Sequence, residues 1–182
     1  MYTIVQAPNE ILRTSAKPVV LFDSKLQKTI QDMTQTMLSQ DDPEGVGLAA
    51  NQVDLPWQIF VARFGTKKTD KVRAFINPEI LSASKDLQPK SDDDKSPLEG
   101  CLSKPGYYGI VKRAIWINLK FQDEAGASHE EKFEGFPATV IQHEMDHLSG
   151  IIFIQRILEQ KGRLYKITKN GKNKDIWDEV DI

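Results

Sequence analysis

Residues 142–150 read Gln-His-Glu-Met-Asp-His-Leu-Ser-Gly, and the reading of this stretch decides the rest. His143 and His147 stand four apart. In a helix of about 3.6 residues per turn both imidazoles fall on one face, one turn apart. Two nitrogens stacked in this way can grip one metal ion. Glu144 lies roughly 100° round the helix from His143, which sets its carboxylate beside the ion, in reach of a proton on a bound water. The pattern is H-E-x-x-H, whose residue types and spacing carry a mechanism. The alternative is a surface helix with two solvated imidazoles. Against it, two of only three His in the chain fall at ligand spacing around a Glu. The third, His129, sits in a polar run and reads as a solvated residue on a hairpin.

Working outward, Pro137 suits a helix start, where its missing donor is not needed. Gly150 suits the end, so the metal helix runs from about 137 to 148. Before it, Ile115, Ile117, Leu119 and Phe121 alternate with Trp116, Asn118, Lys120 and Gln122, which predicts a strand with one apolar face. Asp123 to Gly126 turns it into a partner strand ending near Phe133. After the helix, Ile151 to Ile157 reads as a final strand or extended edge, and the last 20 or so residues are polar and peripheral. Near the start, 9–15 reads as a short helix. A longer helix spans about 24–39, opened by a capping box of Ser24 and Gln27 and carrying Leu26, Ile30, Met33, Met37 and Leu38 at helical spacing. Strands are expected at 57–64 and at 72–76, ending at Asn77-Pro78; the polar stretch 84–97 reads as a surface loop, with scope for mobility. Single helices between hairpins predict an α+β fold. The expectation is one catalytic domain over 1–182, with about 161–182 as a peripheral tail.

A chain of 182 residues suits one domain with a proper core. Its 40% hydrophobic and 27% charged residues mark a soluble globular protein. Net charge is −2, without a Lys/Arg run to track phosphates, so no nucleic-acid site is expected. No apolar stretch approaches the roughly 20 residues that span a bilayer, and the N-terminus does not look like a secretion signal, which predicts a cytoplasmic protein. A single cysteine excludes an internal disulfide and fits a reducing compartment. Cys101 is then a core filler, a nucleophile or a ligand.

Two imidazoles alone leave an ion under-liganded, since hydrolytic sites usually have three protein ligands and an open position. A distant Asp or Glu, or Cys101, can supply the third; a metal deprotonates a thiol outright. Upstream, Gly45-Val46-Gly47-Leu48-Ala49-Ala50-Asn51-Gln52 leaves room for another backbone or a ligand to come close, with Gln52 its one long polar side chain. It is not a phosphate loop, because no Lys-Ser or Lys-Thr follows.

Three stretches, Gly45 to Gln52, Glu99-Gly100-Cys101-Leu102-Ser103, and Gln142 to Gly150, together resemble the three motifs of peptide deformylases, in the family's order and at similar separations. Further similarity covers the opening from Pro8 to Val19, Ile76 to Ile80, and the hairpin from Val111 to Gly126, so the match spans roughly 1–160. The resemblance implies a mixed, largely antiparallel sheet fold around the metal helix. It implies Cys101, His143 and His147 as ligands of one divalent ion. That ion is Fe2+ by resemblance, replaceable by Zn2+, Ni2+ or Co2+; ligand types alone point to zinc. It implies removal of the formyl group from the initiator methionine of new polypeptides. On that resemblance the ion would make water a nucleophile toward the formyl carbon, Glu144 would manage the proton, and Gln52 and the Leu102 N–H would receive the oxyanion. Glu99 and Arg113 match supporting positions, and Asp146 reads as a structural partner of Arg113. Val46, Phe136, Thr139, Val140 and His143 map to the methionine slot, and the peptide backbone would pair near Val46-Gly47 and Gly100 as an added strand. Partners are formylmethionyl peptides and nascent chains, with ribosome docking an open question because the tail after Gln160 does not resemble the usual basic C-terminal helix.

This chain departs from the family at Thr139, where an aliphatic residue is common, at Lys104 and Lys112, and in a longer 84–97 loop. Two rivals stand beside this reading. An H-E-x-x-H metallopeptidase would take a third ligand after the helix, where Glu159 is the nearby acid. A binding module with a closed structural metal site would need four strong ligands.

Overall fold

The computed structural model describes residues 1–65, 67, 69–90, 97–169 and 175–180. After a 3-10 turn at Glu10–Arg13 come α1 (Ser24–Leu38), β1 (Gly47–Ala49), a second 3-10 turn (Ala50–Val53), β2 (Ile59–Ala62), β3 (Arg73–Ala83) and β4 (Leu87–Gln88). Next are β5 (Glu99–Cys101), β6 (Lys104–Gly109), β7 (Arg113–Ala114), β8 (Trp116–Gln122) and β9 (Ser128–Glu134). Helices α2 (Phe136–Leu148) and α3 (Phe153–Gln160) precede β10 (Leu164–Lys169) and β11 (Asp175–Val180).

Five strands form an antiparallel sheet in the order β1-β2-β3-β8-β9, and four form a second in the order β11-β10-β6-β5. An isolated bridge between Lys17 and Trp57 is parallel. All four residues of β2 are buried, because helices cover both faces of the first sheet. Successive strand residues point to opposite faces. Phe60 and Ala62 thus join the core that contains Ala138, Ile141 and Leu148 of α2, while Ile59 and Val61 join Leu26, Ile30, Met33 and Met37 of α1. The α1 methionines are core, as their spacing predicts. Among the described residues no helix is long and apolar enough to cross a membrane.

Several boundaries differ from the sequence reading. Asp23, not Ser24, caps α1, its carboxylate accepting from the Leu26 N–H at 2.9 Å. Both residue types cap well, and the carboxylate one step earlier reaches that donor. The strand expected to stop at Asn77-Pro78 continues to Ala83. A register shift between Ile76 and Glu79 lets Pro78, which cannot donate, pass through. Ile151 to Ile157 is not a strand: Phe153–Gln160 is helical, with Phe153 and Ile157 one turn apart and buried. A short apolar run does not separate strand from buried helix. Within 84–97, Leu87 and Gln88 pair with Ala114 and Arg113, while 91–96, where mobility was expected, lie outside the described residues. In the tail, residues 175–179 of β11 are exposed, but Leu164 of β10 is buried with Cys101, Val111, Phe153 and Ile157. His129 is half exposed, 2.7 Å from Asp123 and stacked on Phe121.

Candidate metal centre

Helix α2 carries the two imidazoles, and its ends explain its place. Gly135 at φ 65 lets the chain turn into Phe136-Pro137, and Gly150 at φ 75 ends it. A Cβ on Gly150 would lie 2.6 Å from the Arg13 carbonyl, so the helix end also packs tightly on the N-terminal segment. Asn51, fully buried, donates from Nδ2 to the His147 carbonyl and ties the last turn to the motif that holds Gln52.

Strand β5 delivers Cys101 to this helix. Its Sγ lies 3.1 Å from His147 Nε2, and the ligand atoms of Cys101, His143 and His147 lie within 4.8 Å of one another. All three are buried or nearly so. One thiol and two imidazoles converging in a buried pocket suit a tetrahedral site with one open position. The second nitrogen of His143, Nδ1, lies 3.0 Å from Glu99 Oε2. A carboxylate there fixes that nitrogen as the protonated one and leaves Nε2 its lone pair. Glu99 is gripped in turn by Arg113 at 2.5 and 2.8 Å, and Arg113 reaches Asp146 at 2.9 Å. Arg156 on α3 closes the far side of Asp146 at 2.7 Å.

These surroundings set the charges. Burial works against ionised Glu99, but the charges of Arg113 and His143 outweigh it and hold the carboxyl at about 2. Burial pushes Glu144 the other way, up to about 7, with His143 and Arg113 opposing. Burial also lowers His143, but Cys101 and Glu99 outweigh that and raise it well above its usual value. His147 is well below, through burial and then the charges of His143 and Arg113. Glu144 Oε2 and His147 Nδ1 are buried without a hydrogen-bond partner. An unpaired buried carboxylate oxygen is costly in a fold without a use for it.

Gln52 sits at the same place. Its Oε1 accepts from the Ala49 N–H at 2.8 Å, and Nε2 lies 3.6 Å from Cys101 Sγ and 3.2 Å from Ser103 Oγ. Gly47 has a specific reason: a Cβ there would lie 2.3 Å from Glu144 Oε1. Gly100 has another. Its Cβ would meet the Tyr108 ring at 2.6 Å, so the glycine accommodates an aromatic neighbour.

A cavity of about 450 Å³ opens over these groups. Val46, Gly47, Gln52, Glu99, Gly100, Cys101, Leu102, Phe136, Thr139, Val140, His143 and Glu144 line it. Arg113 does not; it is buried behind the wall and acts on Glu99. Glu159 pairs with Arg156 at 3.0 Å and is not part of the Cys101/His143/His147 group. Gln88, Pro89, Pro97, Leu98 and Tyr108 also line the cavity and were missed, as were Asn51, Ser103 and Arg156. Asn51 and Ser103 pair with residues 96 and 51 positions away, and Arg156 pairs with a residue on another helix, which no local pattern reveals.

Comparison with known proteins agrees with this geometry. The family profile described as Polypeptide deformylase matches residues 1–163. The chain belongs to the polypeptide deformylase family. It is therefore an enzyme that removes the N-formyl group from new polypeptides. A peptide deformylase of Chromobacterium violaceum is 38% identical over 174 residues, covering 96% of this chain and 97% of that protein. The crystal structure of peptide deformylase from Thermotoga maritima matches with TM-score 0.75 and 40% identity, over 86% of this chain and 97% of that one. A deformylase from Synechococcus elongatus in complex with actinonin matches with TM-score 0.76 and 36% identity, over 85% and 79% of the two chains. The fold of the family, helices with antiparallel sheets, is the fold described above.

Proposed function

We propose that Cys101, His143 and His147 hold one divalent ion, that Glu144 moves the proton in deformylation, and that the cavity of about 450 Å³ receives the formylated methionine. The observation that carries this is Glu144: a buried carboxylate, held near neutrality, with one oxygen free of partners beside three converging ligand atoms. When bound, the ion supplies a Lewis acid that polarises a carbonyl and makes water a nucleophile near neutral pH. We assign it as Fe2+, with Zn2+, Ni2+ and Co2+ as replacements; the mixed sulfur and nitrogen donors suit divalent ions of this borderline class.

Glu144 takes a proton from the attacking water and returns it to the departing amine. A carboxyl poised near the working pH can do both. Gln52 presents its Nε2 amide at the Cys101 side of the cavity, where with the Leu102 N–H it receives the oxygen as it becomes an oxyanion. Val46, Phe136, Thr139, Val140 and His143 wall the methionine slot. β1 and β5 are edge strands of their sheets and both border the cavity, so an extended peptide can pair between Gly47 and Gly100. Residues 1–182 act as one catalytic unit, and the reaction belongs in the cytoplasm on chains leaving the ribosome. Anaerobically purified protein offered a formyl-Met dipeptide tests this reading. Release of formate is expected; cleavage of an internal peptide bond in its place would favour a metallopeptidase.

A further inference from the structure

Two features set this chain apart from the pattern of its motifs, a polar Thr139 in an apolar slot and a longer segment before Glu99. The structure joins them. Gln88 ends β4, opposite Arg113 of β7. Its Nε2 donates to Thr139 Oγ1 at 3.0 Å and to the Gly135 carbonyl at 3.0 Å. The two acceptors lie four residues apart, so a single amide spans the first turn of α2. A threonine hydroxyl inside a helix commonly bonds the carbonyl four residues back. Here that carbonyl, Gly135 O, already accepts from the Thr139 N–H and from Gln88, and Thr139 Oγ1 accepts from Gln88 as well. Gln88, Pro89, Pro97, Leu98 and Thr139 all face the cavity.

We propose that Gln88 and Thr139 form a clasp that fixes the outer wall of the slot, and that the clasp limits the width of first side chain this deformylase accepts. Apolar linings discriminate weakly: a methylene more or less in such a pocket changes selection only about 10- to 200-fold. A wall that includes Gln88, Pro89 and Leu98 would yield to a broader side chain unless it were tied. Gln88 supplies the tie at the level of the first turn of α2, with Pro89 and Leu98 carried on the same wall. Gln88 is a positioning residue in this account, and Thr139 a specificity residue whose hydroxyl is needed for its hydrogen bond.

The inference rests on the slot assignment above, and the test separates the two. Formate release from formyl-Met and formyl-Phe dipeptides is measured for the wild-type enzyme, Gln88→Ala, Thr139→Val, Thr139→Ser and the Gln88→Ala/Thr139→Val double variant, with metal content and melting temperature for each. No formate from the wild type would sink the slot assignment itself. The clasp predicts that Gln88→Ala and Thr139→Val each raise KM for formyl-Met about three- to tenfold, with the loss in KM rather than kcat. Both also narrow the formyl-Met to formyl-Phe ratio of kcat/KM by a similar factor. Thr139→Ser, which keeps the hydroxyl, retains the wild-type ratio, and the double variant is no worse than either single one. A merely structural role would lower the melting temperature and scale both substrates alike. An unchanged ratio in folded, metal-loaded Gln88→Ala and Thr139→Val, or losses that multiply in the double variant, would overturn the clasp.

Discussion

Two corners of one cavity treat a carboxylate in opposite ways. At the Glu99 corner each oxygen is engaged, by Arg113 and by His143, and the chain of partners continues through Asp146 to Arg156. Glu99 is held at about 2 and stays ionised. At the Glu144 corner the protein offers Gly47, which leaves room, and no partner for Oε2. Glu144 rises to about 7 and stands ready to change its protonation. One corner is tied so that an imidazole cannot turn; at the other Oε2 is unpaired, where the proposed mechanism moves a proton. The difference teaches how a fold can spend ion pairs on orientation and withhold them where chemistry occurs.

The comparison can be broken or sharpened by substitution. The largest effect is expected at a proposed metal ligand. Cys101→Ala should cost more than the 10–100-fold in metal affinity that outer partners cost, and formate release should drop to background, as metal analysis and assay on one sample would show. Gln52→Ala removes a donor aimed at the oxyanion and should lower kcat by about 10²–10³ with the ion retained. Glu99→Gln loosens His143 and leaves Arg113 short of a partner. A loss of about 10–100-fold in metal affinity is expected, read by competition with a chelator. A smaller contrast lies in pH and stability. Glu144 must be ionised to act as a base, so kcat/KM falls about tenfold per pH unit on the acid side. A bound cation favours the carboxylate, so this limb lies below the value of about 7 of the metal-free protein.

Stability has the opposite sign at the two corners. Glu99 lies below its ordinary 4.5, so its contribution is present above 4.5 and lost as pH falls toward about 2. Glu144 lies above 4.5, so ionising it costs stability as pH rises through about 7. In metal-free protein at pH 8, Glu99→Gln should therefore lower the melting temperature and Glu144→Gln should raise it. Equal signs would remove the contrast.

The tied corner and the bare one were not equally legible in the amino-acid sequence. His143, Glu144 and His147 lie in one short stretch, and their spacing by itself favours a metal site over two solvated imidazoles. Cys101 and Gln52 needed three motifs to be taken together, because a lone cysteine or a glycine-rich turn has many uses. The Arg113 and Asp146 contact was expected through the family resemblance, but that of Arg156 was not, since the run that carries it was read as a strand. The outer wall was hidden most deeply. Gln88 and Thr139 are 51 residues apart, and while motif position mapped Thr139 to the slot, no pattern pointed to Gln88. A two-residue strand such as β4 exists through its pairing with β7, which local propensity does not encode.

The most direct test of the central claim is formate release and metal content of Glu144→Gln, purified anaerobically beside the wild type. The account predicts about one ion per chain in both and a rate lower by about 10²–10⁴ in the variant, the usual worth of a positioned acid–base group. Near wild-type formate release from a metal-loaded Glu144→Gln protein would contradict it.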